Sequence, residues 1–228
     1  MSNNLRLALF DLDHTLLPID SDFAWGEFTR TIGWTDAVEF KRRNDAFYRD
    51  YQQGTLDVHA YVRFATAAAR SRGAQACAAA HRQFMERVIA PAIHASALQL
   101  LATHRAAGDE VVIVTATNDF VTRPIAQALG VAELIAVELE KGPDGWITGE
   151  IAGVPSFRAG KIARVEQWLA ARGRTWSDVE STFYSDSMND LPLLERVDHP
   201  VATNPDEKLR AIAAARGWRI LDLFDEKK

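Results

Sequence analysis

The chain has 228 residues, of which 47% are hydrophobic and 25% are charged, and these ordinary values exclude a disordered or fibrous protein. Its single cysteine, Cys77, excludes an internal disulfide and a thiolate zinc cluster and favours the reducing cytoplasm. The formal net charge of −5 opposes nonspecific binding to nucleic acid, so small ligands are the expected partners.

The first predicted element is a short buried strand over residues 5–11. Its apolar run begins at Leu5 and meets Asp11 and Asp13 long before it could span a bilayer or form a signal-peptide core, so we expect neither membrane insertion nor secretion. An apolar run that is stopped by acids is typical of a strand buried on both faces of a parallel sheet.

Aromatic residues at helical spacing follow from about Asp22 to Ala90. They predict three or four helices, with breaks at Gly33, Gly54 and Gly73. This pattern indicates a helical subdomain inserted after the first strand.

The rest of the chain alternates between helices and strands. Ser96 is predicted to cap a helix that ends at Gly108, residues 110–115 predict a second buried strand, and residues 142–145 predict a hairpin turn. Later strands are expected over residues 133–137, 181–185, 199–202 and 218–223. Such repeated units predict an α/β fold with a doubly wound parallel, Rossmann-like sheet that holds its ligand at the carboxyl ends of the strands.

Asp11 and Asp13 form the sharpest local feature, because two carboxylates that follow a buried strand can be aimed at one small volume. Taken alone, they could equally be solvated, inert acids at a strand end.

Polar residues also occupy the ends of later elements. They are Thr115, Lys161, Asp186 and Asp190. Each has a local explanation as a strand residue, a solvated cation or a helix cap, but their order along the chain favours a shared site.

In this order the motifs resemble the four signatures of the haloacid dehalogenase superfamily. The matching segments are Phe10-Asp11-Leu12-Asp13-His14-Thr15, Val112-Ile113-Val114-Thr115, Lys161 and Tyr184-Ser185-Asp186-Ser187-Met188-Asn189-Asp190. The resemblance covers essentially the whole chain, and it implies a parallel Rossmann-like sheet, a bound Mg²⁺ and an aspartyl-phosphate intermediate.

Carried over residue by residue, the resemblance implies that Asp11 is the nucleophile, Asp13 is the general acid and base, and Lys161 neutralises the phosphoryl charge. The implied phosphate-binding residues are Thr115, Ala116 and Asn189. The implied metal ligands are Asp11, Asp13, Asp186 and Asp190. An aspartate two residues after the nucleophile favours phosphatases and phosphomutases over dehalogenases and ATP-driven pumps.

The long gap between Asp13 and Thr115 resembles the phosphoserine phosphatase-like branch, which carries a helical cap there. We therefore divide the chain into a core of residues 1–18 and 92–228 and a cap of residues 19–91. Because a closing cap excludes water, it favours a small phosphorylated metabolite over a protein or nucleic-acid target.

The substrate is expected to carry an amine, as phosphoserine and histidinol phosphate do. Asp20 stands where phosphoserine phosphatases have a glutamate that contacts the substrate amine, and Asp22 lies beside it. Arg63 either reaches a substrate carboxylate or is a solvated helix arginine. His14, which replaces the usual serine, either lines the site or faces solvent.

Two other functions fit the same motifs. A phosphotransferase or phosphomutase would pass the acyl phosphate to an acceptor hydroxyl instead of water. A phosphate-binding regulatory protein would keep the fold without turnover, although the intact set of motif residues counts against it. The sequence makes no prediction of the oligomeric state.

Overall fold

A parallel β-sheet forms the centre of the protein in this computed structural model, which describes residues 5–224. The strands are β1 (Leu5–Phe10), β2 (Glu110–Asn118), β3 (Glu133–Val137), β4 (Leu139–Lys141), β5 (Ile147–Ile151), β6 (Val179–Ser185), β7 (His199–Thr203) and β8 (Arg219–Leu221). Within the described range the sheet has the order β3-β2-β1-β6-β7-β8, and every pairing is parallel. The ends of the predicted core, residues 1–4 and 225–228, lie outside the described residues.

Helices cover both faces of this sheet, which confirms the predicted doubly wound fold. They are α1 (Ser21–Thr31), α2 (Ala37–Gln53), α3 (Val58–Ala65), α4 (Ala67–Phe84), α5 (Ala90–Ala92), α6 (Ala95–Ala106), α7 (Asp119–Ala128), α8 (Ala159–Ala170), α9 (Leu191–Leu194) and α10 (Glu207–Arg216). Apolar residues of α6 and α7 pack on one face, and those of α8, α9 and α10 pack on the other.

Strand β1 lies at the centre because its apolar run is buried on both faces. Leu9 packs into the cluster on one face and Phe10 into the cluster on the other. Phe10 pairs in register with Ile113 of β2 and Tyr184 of β6, so the carboxyl ends of these three strands meet at one edge.

Helix α6 begins differently from the prediction that Ser96 caps it. The residue at the N-cap position is His94, and the helix starts at Ala95. The Ser96 hydroxyl instead donates to the carbonyl of Leu223, 2.8 Å away. A tertiary partner supplied by the far end of the chain therefore overrides the local capping signal.

The helices α1 to α4 form the insert between β1 and β2. Gly54 ends α2 in the left-handed conformation, and a non-helical Gly73 with φ of +77° interrupts α4. The inner part of the insert packs on the sheet, since Trp25 and Phe84 share one apolar cluster with Ile113 of β2. This cluster joins residues on both sides of the predicted boundary at residue 18. The boundaries of core and cap therefore stay a prediction.

The outer part of the insert rests on the antiparallel hairpin of β4 and β5. Val62 of α3 shares a small apolar cluster with Leu139 and Ile147 of the hairpin. Within residues 5–224, no helix combines the length and the apolar composition that a membrane span requires.

Candidate active site

A cavity lies between the carboxyl edge of the sheet and helices α1, α2 and α3 of the insert. From the sheet side, its lining includes Asp11, Asp13, Thr115, Ala116 and Asp186. From α2, its lining includes Asn44, Phe47, Tyr48 and Tyr51, which occupy one helix face because they are spaced by three or four residues. The structure therefore gathers most of the residues that the motifs single out.

Lys161 is a buried cation beside the predicted nucleophile, with only 1% of its surface exposed. Its Nζ lies 2.7 Å from Asp11 Oδ1 and 2.7 Å from Asp190 Oδ2. Although burial opposes the charge, the two carboxylates hold the pKa of Lys161 above its ordinary value. Lys161 therefore stays cationic and places its charge against Asp11.

A tight turn before α8 brings Lys161 to this position. The backbone N–H of Lys161 donates to the carbonyl of Arg158, 3.0 Å away, and Arg158 has an unfavourable φ of +54°. A Cβ at Gly160 would lie 2.1 Å from the carbonyl oxygen of Pro155, so this close approach requires glycine. Gly160 is thus a positioning residue for Lys161.

Asp11 and Asp186 converge on the hydroxyl of Thr15. Thr15 Oγ1 lies 3.1 Å from Asp186 Oδ1 and 3.5 Å from Asp11 Oδ2. Burial raises the pKa of Asp11 to about 7 despite the opposing charge of Lys161. Burial, reinforced by the charge of Asp11, also raises the pKa of Asp186. A hard cation would relieve this repulsion between the two carboxylates.

The four carboxylates predicted as metal ligands do not form one group. Among the described residues, no cluster of three or more His, Cys, Asp or Glu side chains could hold a metal. Asp190 instead accepts hydrogen bonds from Lys161 and from the Ser185 hydroxyl, each at 2.7 Å. Asp11 and Asp186 remain as the candidate ligands, and this pair fits Mg²⁺, which commonly uses one or two carboxylates and completes its shell with other oxygens.

Asp13 is held by two donors of its own. The backbone N–H of Ser21 donates to Asp13 Oδ1 at 2.8 Å, and the hydroxyl of Thr117 donates to Oδ2 at 2.8 Å. These bonds fix the carboxylate at the cavity wall and make it a positioned group for proton transfer.

Thr115 and Ala116 line the cavity at the end of β2, where the motif predicts phosphate binding. The Thr115 hydroxyl accepts the backbone N–H of Thr117 at 3.1 Å, which leaves its own proton to be donated. Both residues are therefore placed to contact a ligand beside Asp11.

Asn189 does not line the cavity, although the motif predicts that it binds phosphate. Its Nδ2 donates to the backbone carbonyl of Tyr51 at 3.1 Å, and its Oδ1 accepts from Arg158 Nε at 3.3 Å. The Tyr51 hydroxyl also lies 3.3 Å from the hydroxyl of Ser187. Asn189 thus connects the loop after β6 to the insert.

Asp20 and Asp22 add two more carboxyl groups to the cavity lining from the start of α1. Asp20 is the N-cap, and its carboxylate accepts the backbone N–H of Phe23 at 2.8 Å. Burial and the charge of Asp13 raise the pKa of Asp20 to about 8. Burial likewise raises the pKa of Asp22 to about 7, although a hydrogen bond from Tyr61 opposes this rise.

Arg63 is placed away from the cavity. Its side chain is 47% exposed, and Nη1 lies 3.1 Å from Glu150 Oε2. His14, in contrast, does line the cavity. Its buried Nε2 has no hydrogen-bond partner among the described residues.

Asn204 supports the loop after β1, which carries Asp13 and His14. Its Nδ2 donates to the carbonyl of His14 at 2.8 Å, and its Oδ1 accepts the N–H of Leu223 at 2.6 Å. Sequence reasoning did not find Asn204, Thr117 or Asn44. For Asn44 a signal was available, because it shares a helix face with the aromatic residues of α2.

The model of the haloacid dehalogenase-like hydrolase family matches residues 8–195, which include all four motifs. The chain belongs to this family. A histidinol-phosphatase from Neisseria meningitidis serogroup C (strain 8013) is 44% identical over 218 residues, which cover 95% of this chain and 98% of that protein. The family and this relative confirm the prediction that the chain is an enzyme, a haloacid dehalogenase-type phosphatase.

Solved structures agree with the fold. The crystal structure of a protein with unknown function from Bordetella pertussis Tohama I is 49% identical, covers 97% of this chain and 100% of its own, and has a TM-score of 0.92. A substrate-bound phosphoserine phosphatase is 16% identical, with coverages of 96% and 93% and a TM-score of 0.66. This second similarity shows a shared fold.

Proposed function

We propose that this phosphatase hydrolyses a small, amine-bearing phosphomonoester of the phosphoserine or histidinol phosphate kind, through a phosphorylated Asp11 and with Mg²⁺. The observation that supports this most directly is the buried ion pair of Lys161 and Asp11 at the edge of the cavity. The phosphoryl end of the cavity is the group of Asp11, Lys161 and Asp186.

In the first step, a carboxylate oxygen of Asp11 attacks phosphorus, and the ester bond between phosphorus and the substrate oxygen breaks. Lys161 holds Asp11 in place and offsets the charge that the phosphoryl group brings into the buried site. Thr115 donates to a phosphoryl oxygen. Asp11 and Asp186 would hold Mg²⁺, which neutralises phosphoryl oxygens when bound.

Asp13 acts as the general acid in the first step and as the general base in the second. It first donates a proton to the leaving alkoxide, which departs as the alcohol. It then takes a proton from the water that attacks the acyl phosphate, and inorganic phosphate leaves while Asp11 is restored. The hydrogen bonds from Ser21 and Thr117 keep Asp13 in position for both transfers.

The substrate belongs to the small metabolites because helices α1, α2 and α3 cover the cavity. We place the activity in the cytoplasm, as the single cysteine predicts. The relative named histidinol-phosphatase supports an amino alcohol phosphate.

Borohydride trapping tests the covalent step. Reduction of the enzyme during turnover should label Asp11, and peptide mass spectrometry should find the label on the peptide that contains it. Asp11→Asn should lower kcat by roughly four orders of magnitude, because the amide is a poor nucleophile. Asp36→Asn, at the exposed N-cap of α2, is the matched control and should keep full activity.

Phosphate release from p-nitrophenyl phosphate, with and without Mg²⁺, completes the test. Release in the absence of any acceptor alcohol excludes the phosphotransferase alternative. A label on another residue, or undiminished turnover by Asp11→Asn, would contradict the proposal.

A further inference from the structure

The residues that the proposed function assigns to the phosphoryl group lie beside the sheet, but the insert also brings a hydroxyl to this end of the cavity. Tyr51, in the last turn of α2, lines the cavity, and its hydroxyl lies 3.3 Å from that of Ser187. Ser187 directly follows Asp186, a candidate Mg²⁺ ligand. Burial, and next the charge of Asp11, raise the pKa of Tyr51. The phenol therefore keeps its proton beside the nucleophile.

Contacts with the loop after β6 fix the backbone of Tyr51. Its carbonyl accepts the side-chain N–H of Asn189 at 3.1 Å, and Asn189 Oδ1 accepts from Arg158 Nε at 3.3 Å. The amide that the motif assigns to phosphate is thus engaged at both ends, and it does not line the cavity. A Cβ added at Gly54 would collide with Arg158 Nη2, so the Arg158 guanidinium packs against the end of α2. The loop therefore holds Tyr51 at the cavity instead of presenting Asn189 to it.

The Tyr51 proton is available to a ligand. Ser187 Oγ already accepts the backbone N–H of Asn189 at 3.2 Å, so its own proton can be donated to the Tyr51 oxygen. The 3.3 Å between the two hydroxyl oxygens also exceeds the usual O–H···O separation of about 2.7–2.8 Å. A phosphoryl oxygen is the stronger acceptor, because hydrogen bonds to a charged group are shorter and stronger than neutral ones.

The other hydroxyls of the cavity lining are engaged elsewhere or already assigned. They belong to Thr115, Thr117, Tyr48 and Tyr61. Thr117 donates to Asp13. Tyr61 forms a hydrogen bond with Asp22. Burial and then the charge of Asp20 raise the pKa of Tyr48, which places its hydroxyl nearer to Asp20 than to Asp11. Thr115 and Tyr51 therefore remain as the hydroxyl donors of the lining near Asp11.

The phosphoryl end offers few cations to a ligand. Lys161 Nζ already binds Asp11 and Asp190. No lysine or arginine of residues 5–224 is part of the cavity lining. Phosphoryl transfer spreads negative charge over the equatorial oxygens, and preorganised donors stabilise that charge. A second neutral donor beside Thr115 fits this requirement.

We propose that Tyr51 is a further catalytic residue, whose hydroxyl donates a hydrogen bond to a phosphoryl oxygen of the substrate and of phosphorylated Asp11. This role rests on the proposed function and adds one residue of the insert to those beside the sheet. The phenol keeps its proton throughout, so Asp13 remains the acid and base. Because the bonded oxygen belongs to the phosphoryl group, the contribution of Tyr51 is the same for every phosphomonoester that the enzyme accepts.

Tyr51→Phe removes the hydroxyl and keeps the ring, whose centroid lies 6.2 Å from that of Phe157. In the Mg²⁺-loaded enzyme, kcat/KM should fall about tenfold or more, because a hydrogen bond to a charged group is lost. The factor should agree within about twofold for p-nitrophenyl phosphate and L-histidinol phosphate. An unchanged kcat/KM, or a loss confined to one of the two substrates, would overturn the inference.

Phosphate binding tests the contact without turnover. By calorimetry, the affinity of the Mg²⁺-loaded protein for inorganic phosphate should fall at least about fivefold in Tyr51→Phe. Tyr48→Phe, the matched control on the same helix face, should keep the wild-type affinity. Unchanged affinity in Tyr51→Phe, or an equal loss in both variants, contradicts the inference. If wild type failed to hydrolyse p-nitrophenyl phosphate while Tyr51→Phe still lost phosphate affinity, the proposed function alone would be wrong.

Ser187→Ala separates a direct contact from a structural link. This variant keeps the Tyr51 hydroxyl but removes its partner and the acceptor of the Asn189 N–H. The melting temperature should therefore fall more in Ser187→Ala, whereas phosphate affinity should fall more in Tyr51→Phe. An equal loss of phosphate affinity, or a larger one in Ser187→Ala, would make Tyr51 a structural link and overturn its catalytic role.

Discussion

The phosphoryl end of the cavity and its wall at the start of α1, formed by Asp20 and Asp22 and called here the α1 wall, differ in the partners of their carboxyl groups. At the phosphoryl end, the Lys161 ammonium lies between two carboxylates at 2.7 Å. At the α1 wall, Asp20 and Asp22 have no lysine, arginine or histidine at ion-pair distance within residues 5–224, and their hydrogen-bond donors include the Phe23 N–H and the Asn118 amide. The carboxylates of the phosphoryl end thus share a cation within the protein, whereas the carboxyl groups of the α1 wall accept only from neutral donors.

The two regions differ because their residues belong to different elements of the fold. The phosphoryl end lies at the end of β1, on α8 and on the loop after β6, which border the sheet, whereas the α1 wall belongs to the insert. In the proposed function, the residues that act on the phosphoryl group therefore lie next to the central sheet. Under the same proposal, the residues that would distinguish one substrate from another belong to the insert that covers the cavity.

The largest expected effect comes from breaking the ion pair at the phosphoryl end. Lys161→Met leaves Asp11 and Asp190 buried without their cation, so the free energy of unfolding should fall by about 3–5 kcal/mol. Turnover by the folded fraction should fall roughly a hundredfold or more. Chemical denaturation and steady-state kinetics measure the two effects. Lys141→Met, at an exposed lysine of β4, should change neither by a comparable amount.

Gly160→Ala tests how closely the phosphoryl end is positioned. The added Cβ must displace the Pro155 carbonyl, so we expect about 1–3 kcal/mol of destabilisation and a reduced kcat as Lys161 shifts. Gly173→Ala, at a helix end with open space around it, should destabilise the protein without changing kcat. Equal kcat in Gly160→Ala and wild type would show that the turn tolerates the displacement.

Asp20→Asn tests the raised pKa of Asp20 through the pH dependence of protein stability. The folded-state pKa of about 8 lies above the ordinary value of 3.8, so the folded protein binds a proton that the unfolded chain has released. The contribution of Asp20 to stability is therefore present at acidic pH and is lost as pH rises towards 8. Asparagine keeps the N-cap without the charge. The metal-free variant should gain about 1 kcal/mol or more over wild type at pH 8, and the gain should shrink towards pH 4.

Thermal unfolding across this pH range measures the difference. Asp57→Asn is the matched control, because Asp57 caps α3 in an exposed position and backbone hydrogen bonds lower its pKa. This control should show no gain at pH 8. A pH-independent difference between Asp20→Asn and wild type would contradict the assigned burial of the charge.

The smallest expected effect belongs to Arg63→Ala. Because its partner Glu150 is also exposed, loss of this ion pair should change the unfolding free energy by less than about 1 kcal/mol. Values of kcat and KM should stay within about twofold, since Arg63 lies off the cavity. A large rise in KM would instead show that Arg63 contacts the substrate, which is one of the two alternatives that the sequence left open.

Much of the fold could be predicted because its signals are local. The apolar run before Asp11 and the helical aromatic spacing of the insert both depend on neighbours within a few residues. The predicted start of α6 at Ser96 was wrong because the partner of its hydroxyl, the Leu223 carbonyl, lies 127 residues away. Local propensity contains no information about such a contact.

The site was also predicted only in part, because its motifs are local signals whereas several of its contacts are long-range. The motifs identify Asp11, Asp13 and Lys161 by residue type and order, and the structure brings them together. The donors that hold Asp13 could not be found, since Thr117 lies 104 residues along the chain. The four metal ligands stay a prediction, and the sequence could not show that Asp190 also accepts hydrogen bonds from Lys161 and Ser185.

The Asn204 amide ties the loop after β1 to the end of the last strand through the carbonyl of His14 and the N–H of Leu223. One side chain thus anchors two segments that are far apart in sequence. Because both partners are backbone groups, the contact does not depend on the side chains at positions 14 and 223, and position 204 alone determines whether the two segments stay connected.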